Sequence, residues 1–277
     1  MTGCLTPRTH LQGMDTKPKI PFITIIAAVV GFGAMLFGAM MEGANVMAFF
    51  NIPALLIIGG GTCGATMAAV GLDKFLKIGK AWMTAQQAAS PNWEATAREL
   101  VRAADIVRKE GALKLQDEAR EQEDEFLKMA YNLIADGTDA NVIREILWAK
   151  IETETHKLKE YADIFAKMGG FAPTMGIIGT VMGLTHALML LNEPDSLGPA
   201  IAGAFMATFY GVSSANLLWT PTGDRITALS KERKEWRGMM VAAAMSIQRG
   251  DSSRDVAEKL SAMSPVPLDP DELRKKD

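Results

Sequence analysis

Four long runs of this chain contain no Asp, Glu, Lys or Arg: Ile20–Met41, Ile52–Leu72, Met168–Asn192 and Ser196–Gly223. Each reaches the length of about 20 helical residues that crosses the hydrocarbon core of a bilayer. In lipid the backbone N–H and C=O groups must find partners inside the segment, so runs of this length read as helices. Between the second and third runs lies a block, 73–167, dense in charge. The averages, 48% apolar and 22% charged with a net charge of −3, resemble a soluble chain only because they mix two unlike populations. The order of the runs, not the mean, sets the class.

Positive charge sets an expected orientation. Arg8, Lys17 and Lys19 precede the first run, whereas the 42–51 connection carries only Glu42 and the 193–195 connection is Glu193-Pro194-Asp195. All 29 Lys and Arg residues lie in the N-terminal segment, the central block or the C-terminal part. By the positive-inside rule both termini and the central block are cytoplasmic and the two short connections face outward. The first run is too long for a signal-peptide core and no A-x-A site follows it, so it reads as a retained helix. Cys4 and Cys63 form no disulfide framework or metal-ligand spacing.

These readings predict an all-α membrane protein: four transmembrane helices with a helical cytoplasmic domain inserted between helices 2 and 3. The expected divisions are a cytoplasmic segment at 1–19, spans at 20–41, 52–72, 168–192 and 197–221, and the cytoplasmic domain at 73–167. Cytoplasmic helices follow at 222–263, and the Pro- and charge-rich 264–277 is expected to be a disordered tail.

Within the block, Ser90-Pro91 reads as a cap with a first-turn proline, and Gly111 as a terminator. Phe126, Met129, Ala130, Leu133 and Ile134 recur at helical spacing on one face. Asp136-Gly137 breaks that helix and Asp139 can cap the next, which has no breaker before Gly169-Gly170 and is free to run into the third span. Beyond the fourth span, Ile226, Leu229, Trp236, Met240, Ala243 and Ile247 mark another apolar face that ends at Gly250. Asp251-Ser252 can start a last helix with Val256, Leu260 and Met263.

No nucleophile–base set is visible, so an enzyme is not expected. His10, His156 and His186 are scattered, and His186, inside the third span, has no acidic partner in any run. Pro173 lacks an N–H and frees a carbonyl one turn earlier, which in lipid must find a partner such as water or a cation. Gly176, Gly179 and Gly183 keep one face of that helix small, so something can pack closely there, and they are expected at the interface with a partner subunit. Thr180 and Thr208 add hydroxyls, and Pro221 lies near the end of the fourth run. Thr does not titrate near neutral pH. An ion-driven function of these spans therefore needs a carboxylate from another chain.

The run FAPTMGIIGTVMGLTHALMLLNEPDSLGPAIAGAFMATFYGVSSANLLWTP resembles the third and fourth membrane helices of the MotA/PomA family, the A subunits of the bacterial flagellar stator, within the wider superfamily of TolQ and ExbB. Asp105-Ile106-Val107-Arg108-Lys109-Glu110-Gly111 resembles the family's torque region. The resemblance covers about residues 20–263. It implies an inner-membrane homopentamer around two copies of a single-span B subunit, whose membrane Asp binds the coupling ion, H+ or Na+. Spans three and four line the ion path, and the cytoplasmic domain meets the rotor's switch-complex protein through charged residues. No cofactor, metal site or nucleic-acid partner is implied. By the same resemblance Pro173 and Pro221 match the prolines tied to coupling, and Thr180 and Thr208 the hydroxyls near the ion site. Arg108 matches the torque-region arginine. The glutamate usual eight positions later is Gln116 here, with Asp117 and Glu118 next to it as substitutes. A TolQ/ExbB-type energiser or another non-flagellar stator is the alternative; a solute transporter lacks its coupling groups in these spans.

Overall fold

The structure is a computed structural model that describes residues 23–43, 46–86 and 90–275. The expected segment 1–19, and Cys4 and His10 with it, lies outside the described residues. The described chain is helical throughout: α1 Ile23–Met41, α2 Ile52–Val70, α3 Leu72–Phe75, α4 Ile78–Gln86, α5 Trp93–Glu110, α6 Leu115–Glu121, α7 Glu125–Ala135, α8 Ala140–Met189, α9 Pro194–Ser214, α10 Thr220–Gln248, α11 Ser253–Met263 and α12 Pro270–Leu273. A π-helical turn, Ala215–Trp219, joins α9 to α10. Among the described residues four helical stretches are long and apolar enough to cross a membrane, including Ile23–Met41, Ile52–Val70 and the 50-residue α8. In α1 only 11% of the apolar window is buried within the chain, so its Val29, Val30 and Phe37 need an apolar environment outside it.

The chain divides into two compact units, one of 89–155 with 231–277, the other of 20–88 with 156–230. The first has a conventional core. Leu100, Leu115, Phe126, Leu127, Ile134, Ile143, Leu147, Met240, Val256 and Leu260 are all essentially inaccessible. Each such side chain contributes about 1.5–3 kcal/mol by leaving water. Trp236 brings its indole N–H into the same core and donates to Thr96 Oγ1 at 3.1 Å, so the ring is buried with its own donor satisfied.

Local sequence explains most helix ends in this unit. Gly111, Gly137 and Gly250 hold φ near +88°, +72° and +80° at the stops expected from their residue type. Asp139 Oδ1 accepts from the Asn141 N–H at 2.8 Å and opens α8. One cap differs from expectation. Ser90 does not start α5; Asn92 does, its Oδ1 accepting from the Ala95 N–H at 3.1 Å. Asn is as good a cap as Ser, and it stands immediately before the helix, whereas Pro91 falls outside it.

The tail also departs from expectation. Residues 264–275 are not a free strand of chain. Asp269 caps α12 with Pro270 in its first turn, Leu273 is buried on the core, and Arg98 donates to the Glu272 carbonyl at 3.1 Å. Composition flagged this segment as polar, but two leucines, Leu268 and Leu273, are enough to dock it.

The second unit packs α2, α8 and α9 together. Its densest apolar cluster joins Ala81 and Ala85 of α4 to Tyr161, Ile164, Phe165 and Met168 of α8 and Ile226 of α10. Trp82, Phe165 and Trp219 form a mutually contacting trio, with ring centroids 5.9 to 6.5 Å apart.

Candidate functional site

The α8–α9 crossing is made by small residues. A methyl on Gly176 would meet the Ala207 carbonyl oxygen at 3.0 Å and the Thr208 Cα at 3.1 Å. One on Gly179 would meet the Ala207 Cβ at 2.7 Å, one on Gly183 the Ala204 Cβ at 2.6 Å, and one on Gly211 the Ala172 carbonyl at 2.5 Å. The two backbones therefore approach with nothing larger than an alanine methyl between them at these four positions. This corrects an expectation. The face kept small by Gly176, Gly179 and Gly183 is filled by the chain's own α9, not left for a partner subunit. Small-residue spacing says that a helix comes close; it does not say whose helix.

That closeness brings the two candidate threonines together. Thr180 Oγ1 and Thr208 Oγ1 lie 2.5 Å apart. Thr180 also reaches the carbonyls of Gly176 and Ala204, both at 3.1 Å, and Thr208 reaches that of Gly176 at 3.4 Å. Two hydroxyl protons serve this cluster, so at any instant at least one oxygen lone pair or carbonyl is left to accept from something else. The site is half-buried and uncharged. It can solvate a cation or a water, but it cannot itself take up a proton at neutral pH.

The prolines flank the pair. Pro173 sits inside α8 and leaves the Gly169 carbonyl without its helical donor. Thr220 Oγ1 lies so near Gly169 that a Cβ there would come within 2.5 Å of it. Pro221 follows the π turn, in which the Thr220 N–H bonds the Ala215 carbonyl five residues back. The wider turn makes room for a ring that would otherwise press on the carbonyl of Leu217. Asn216, within this turn, is exposed and donates to the Val212 carbonyl at 2.8 Å. His186 lines a cavity of about 220 Å³ with Asn51, Ile57, Gly183, Pro199 and Ala204, and no acidic side chain faces it.

Two residues of this unit escaped the reading of the sequence. Tyr210 donates to the Phe49 carbonyl and accepts from the Asn51 N–H at 3.1 Å. Asn51 in turn caps α2 through Ala54 at 3.0 Å and reaches the Gly203 carbonyl at 3.4 Å. They fasten the α1–α2 connection to α9. No local signal in the sequence joins Tyr210 to Asn51, which lies 159 residues away.

In the other unit Arg108 is exposed at the end of α5 and makes no ion pair among the described residues. Asp117 is exposed and pairs with Lys114 at 2.9 Å; the hydrogen bond from Lys114 holds its carboxyl below the usual range. Glu118 is differently placed. Arg102 grips it at 2.7 Å and grips Glu99 at 3.1 Å. Burial opposes the charge of Arg102, but Glu99 and Glu118 outweigh it and hold the guanidinium above its ordinary value. Tyr131 donates to Glu99 at 3.3 Å, and burial, then the Glu99 charge, pushes its phenol well up. Of the two carboxylates beside Gln116, Asp117 faces outward and Glu118 is bound within the fold. Among the described residues no cluster of His, Cys, Asp and Glu can hold a metal.

The described residues thus form an all-helical protein with helices apolar enough for a membrane and a hydroxyl-lined crossing between two of them. The model of the MotA/TolQ/ExbB proton channel family matches residues 118–238. Motility protein A of Bacillus subtilis is 30% identical over 247 residues, covering 88% of this chain and 90% of that protein. Chemotaxis protein PomA of Vibrio alginolyticus is 30% identical over 235 residues, covering 83% and 90%. The flagellar MotAB stator complex from Bacillus subtilis superposes with a TM-score of 0.81 at 29% identity, over 88% of this chain and 96% of that one. The chain belongs to the MotA/TolQ/ExbB family.

Proposed function

We propose that this chain is the A subunit of a bacterial flagellar stator. With a B subunit it forms an ion-conducting complex in the inner membrane that turns ion flow into torque on the rotor. The observation that carries this reading is the near end-to-end match to Motility protein A, 88% of one chain against 90% of the other. A match over that length to a motility protein favours the stator reading over a TolQ/ExbB-type energiser.

The rest of the reading builds on it. Four spans cross the membrane with both termini and the 73–167 block inside, as the distribution of Lys and Arg favours. Five copies surround a pair of B helices, and a B-subunit Asp supplies the titrating group that these spans lack. A unit charge crossing 100 mV releases about 2.3 kcal/mol, so each step is a small rotation over low barriers. Thr180, Thr208 and the Gly169 carbonyl freed by Pro173 replace part of the water shell of the coupling ion, H+ or Na+. When the Asp is neutralised, its helix can leave this polar niche for an apolar wall, and the ring advances. Arg108 and Asp117 deliver the work to the rotor's switch-complex protein. Exposed charge pairs are each worth less than about 1 kcal/mol, which suits a contact that makes and breaks.

The test is complementation. A motile strain lacking its A subunit receives this chain with its cognate B subunit, and rotation of tethered cells is measured. Torque that disappears when the B-subunit Asp becomes Asn supports the reading. Assembled, membrane-inserted complexes that never turn the rotor would overturn it in favour of a non-flagellar energiser. Speed against sodium concentration then separates the two coupling ions.

A further inference from the structure

Immediately after α2 the chain lays out an unusual surface. Gly71, at φ +84°, ends the span by closing its N–H on the Met67 carbonyl. The next fifteen residues, 72–86, contain Lys74, Lys77 and Lys80 against a single acid, Asp73. Their apolar residues are split between two faces. Ala81 and Ala85 are fully buried on the chain's own second unit, and Arg225 anchors the end of α4 by donating to the Ala85 carbonyl at 2.8 Å. Leu72, Leu76 and Met83, at spacings of four and seven, stay 55%, 70% and 56% exposed. α3 and α4 are thus held in place on one side and offer leucines and lysines on the other.

We propose that this α3–α4 face is a binding surface for anionic phospholipid at the cytoplasmic leaflet. Its place in the chain argues for lipid: the segment leaves a membrane span directly, so its exposed leucines begin where acyl chains end. Charge argues for the anionic headgroup. Lys74 is already engaged with Glu160 at 2.8 Å, but Lys77 and Lys80 form no ion pair among the described residues and are exposed beside Leu76 and Met83. A helix with apolar side chains below and lysines at its flank lies in the interface plane and gains from each lysine near an anionic surface. The inference rests on the inward orientation proposed above. Its readout is lipid contact and not torque, so either reading can fail without the other.

The test uses the full A–B complex reconstituted in liposomes, with Leu76→Trp as a reporter and the unsubstituted protein as the tryptophan background. Quenching by dibrominated phosphatidylglycerol is compared with quenching by dibrominated phosphatidylcholine. The expected result is tighter contact with phosphatidylglycerol, weakened by salt and reduced about fivefold for each of Lys77→Gln and Lys80→Gln. Met83→Trp repeats the measurement at the far end of the face. Equal quenching by the two lipids overturns the proposal. So does the absence of quenching at both reporters, which would place a second copy of the chain or the B subunit over this face.

Discussion

The hydroxyl oxygens of Thr180 and Thr208 lie 2.5 Å apart across the α8–α9 crossing, and the carbonyls of Gly176 and Ala204 lie within reach of the same pair. Thr180→Val keeps the shape and deletes the hydroxyl that makes three of those contacts. One net hydrogen bond is worth about 1 kcal/mol, so the protein should still fold and insert. Swimming speed should fall severalfold, and Thr180→Ser should restore most of it. Normal swimming by Thr180→Val and Pro173→Ala strains at wild-type protein level would remove this crossing from the ion path.

The glycine seam predicts a graded response to a single methyl. At Gly183 an added Cβ meets the Cβ of Ala204 at 2.6 Å and its Cα at 2.8 Å, so backbone must move. At Gly61 the nearest atom is the Met175 sulfur at 2.8 Å, the end of a flexible side chain. Gly183→Ala should cost about 1–3 kcal/mol and lower the melting midpoint in detergent, whereas Gly61→Ala should leave it nearly unchanged. Equal midpoints for the two variants would mean that the crossing is looser than the seam described here.

Legibility of this chain divided along physical lines. Helices that depend on apolar period and local punctuation were readable: the stripe of α7, the stops at Gly111, Gly137 and Gly250, and the passage from Asp139 through to Met189 without a break. Each of these is set by residues within a few positions of one another. What depended on distant partners was not readable. The Gly176–Gly183 stripe announced a close neighbour without naming Ala204 and Ala207. Tyr210 gave no sign that it would close on Phe49 and Asn51, more than 150 residues earlier. The docking of Leu273 was hidden because two apolar residues do not raise the composition of a Pro-rich tail. The π turn before Pro221 was invisible because it answers a steric demand that the proline makes on its own preceding turn.

Asp117 and Glu118 are adjacent in sequence and should behave oppositely. Glu118 is held by Arg102 and lies mostly inside the fold, so Glu118→Gln should cost about 1 kcal/mol of stability and leave torque per assembled stator unchanged. Asp117→Lys should leave stability nearly unchanged and reduce torque, as should Arg108→Glu, the latter with partial rescue by a charge reversal in the rotor. Torque from tethered cells, normalised to stator number, separates the two classes. A Glu118→Gln stator that assembles normally but stalls would transfer the rotor contact from Asp117 to Glu118.

The start of α11 carries a pH-dependent lock. Ser252 donates its hydroxyl to the Asp255 carboxylate at 2.7 Å and its backbone N–H at 3.2 Å, and the Asp255 N–H returns a bond to the Ser252 hydroxyl. The hydroxyl bond first, and the backbone bond second, hold the Asp255 carboxyl below the usual range. A carboxylate depressed in the folded state stabilises that state above its unfolded pKa, about 3.9 for Asp, and the contribution disappears as pH falls through the lower folded value. Asp255→Ala should therefore open the amides of 253–256 to faster hydrogen exchange at pH 7. The gap to the unsubstituted protein should close as pH drops below about 4, after correction for the intrinsic exchange rate. A gap that stays constant into acid would show that Asp255 acts through packing of the first turn and not through its charge.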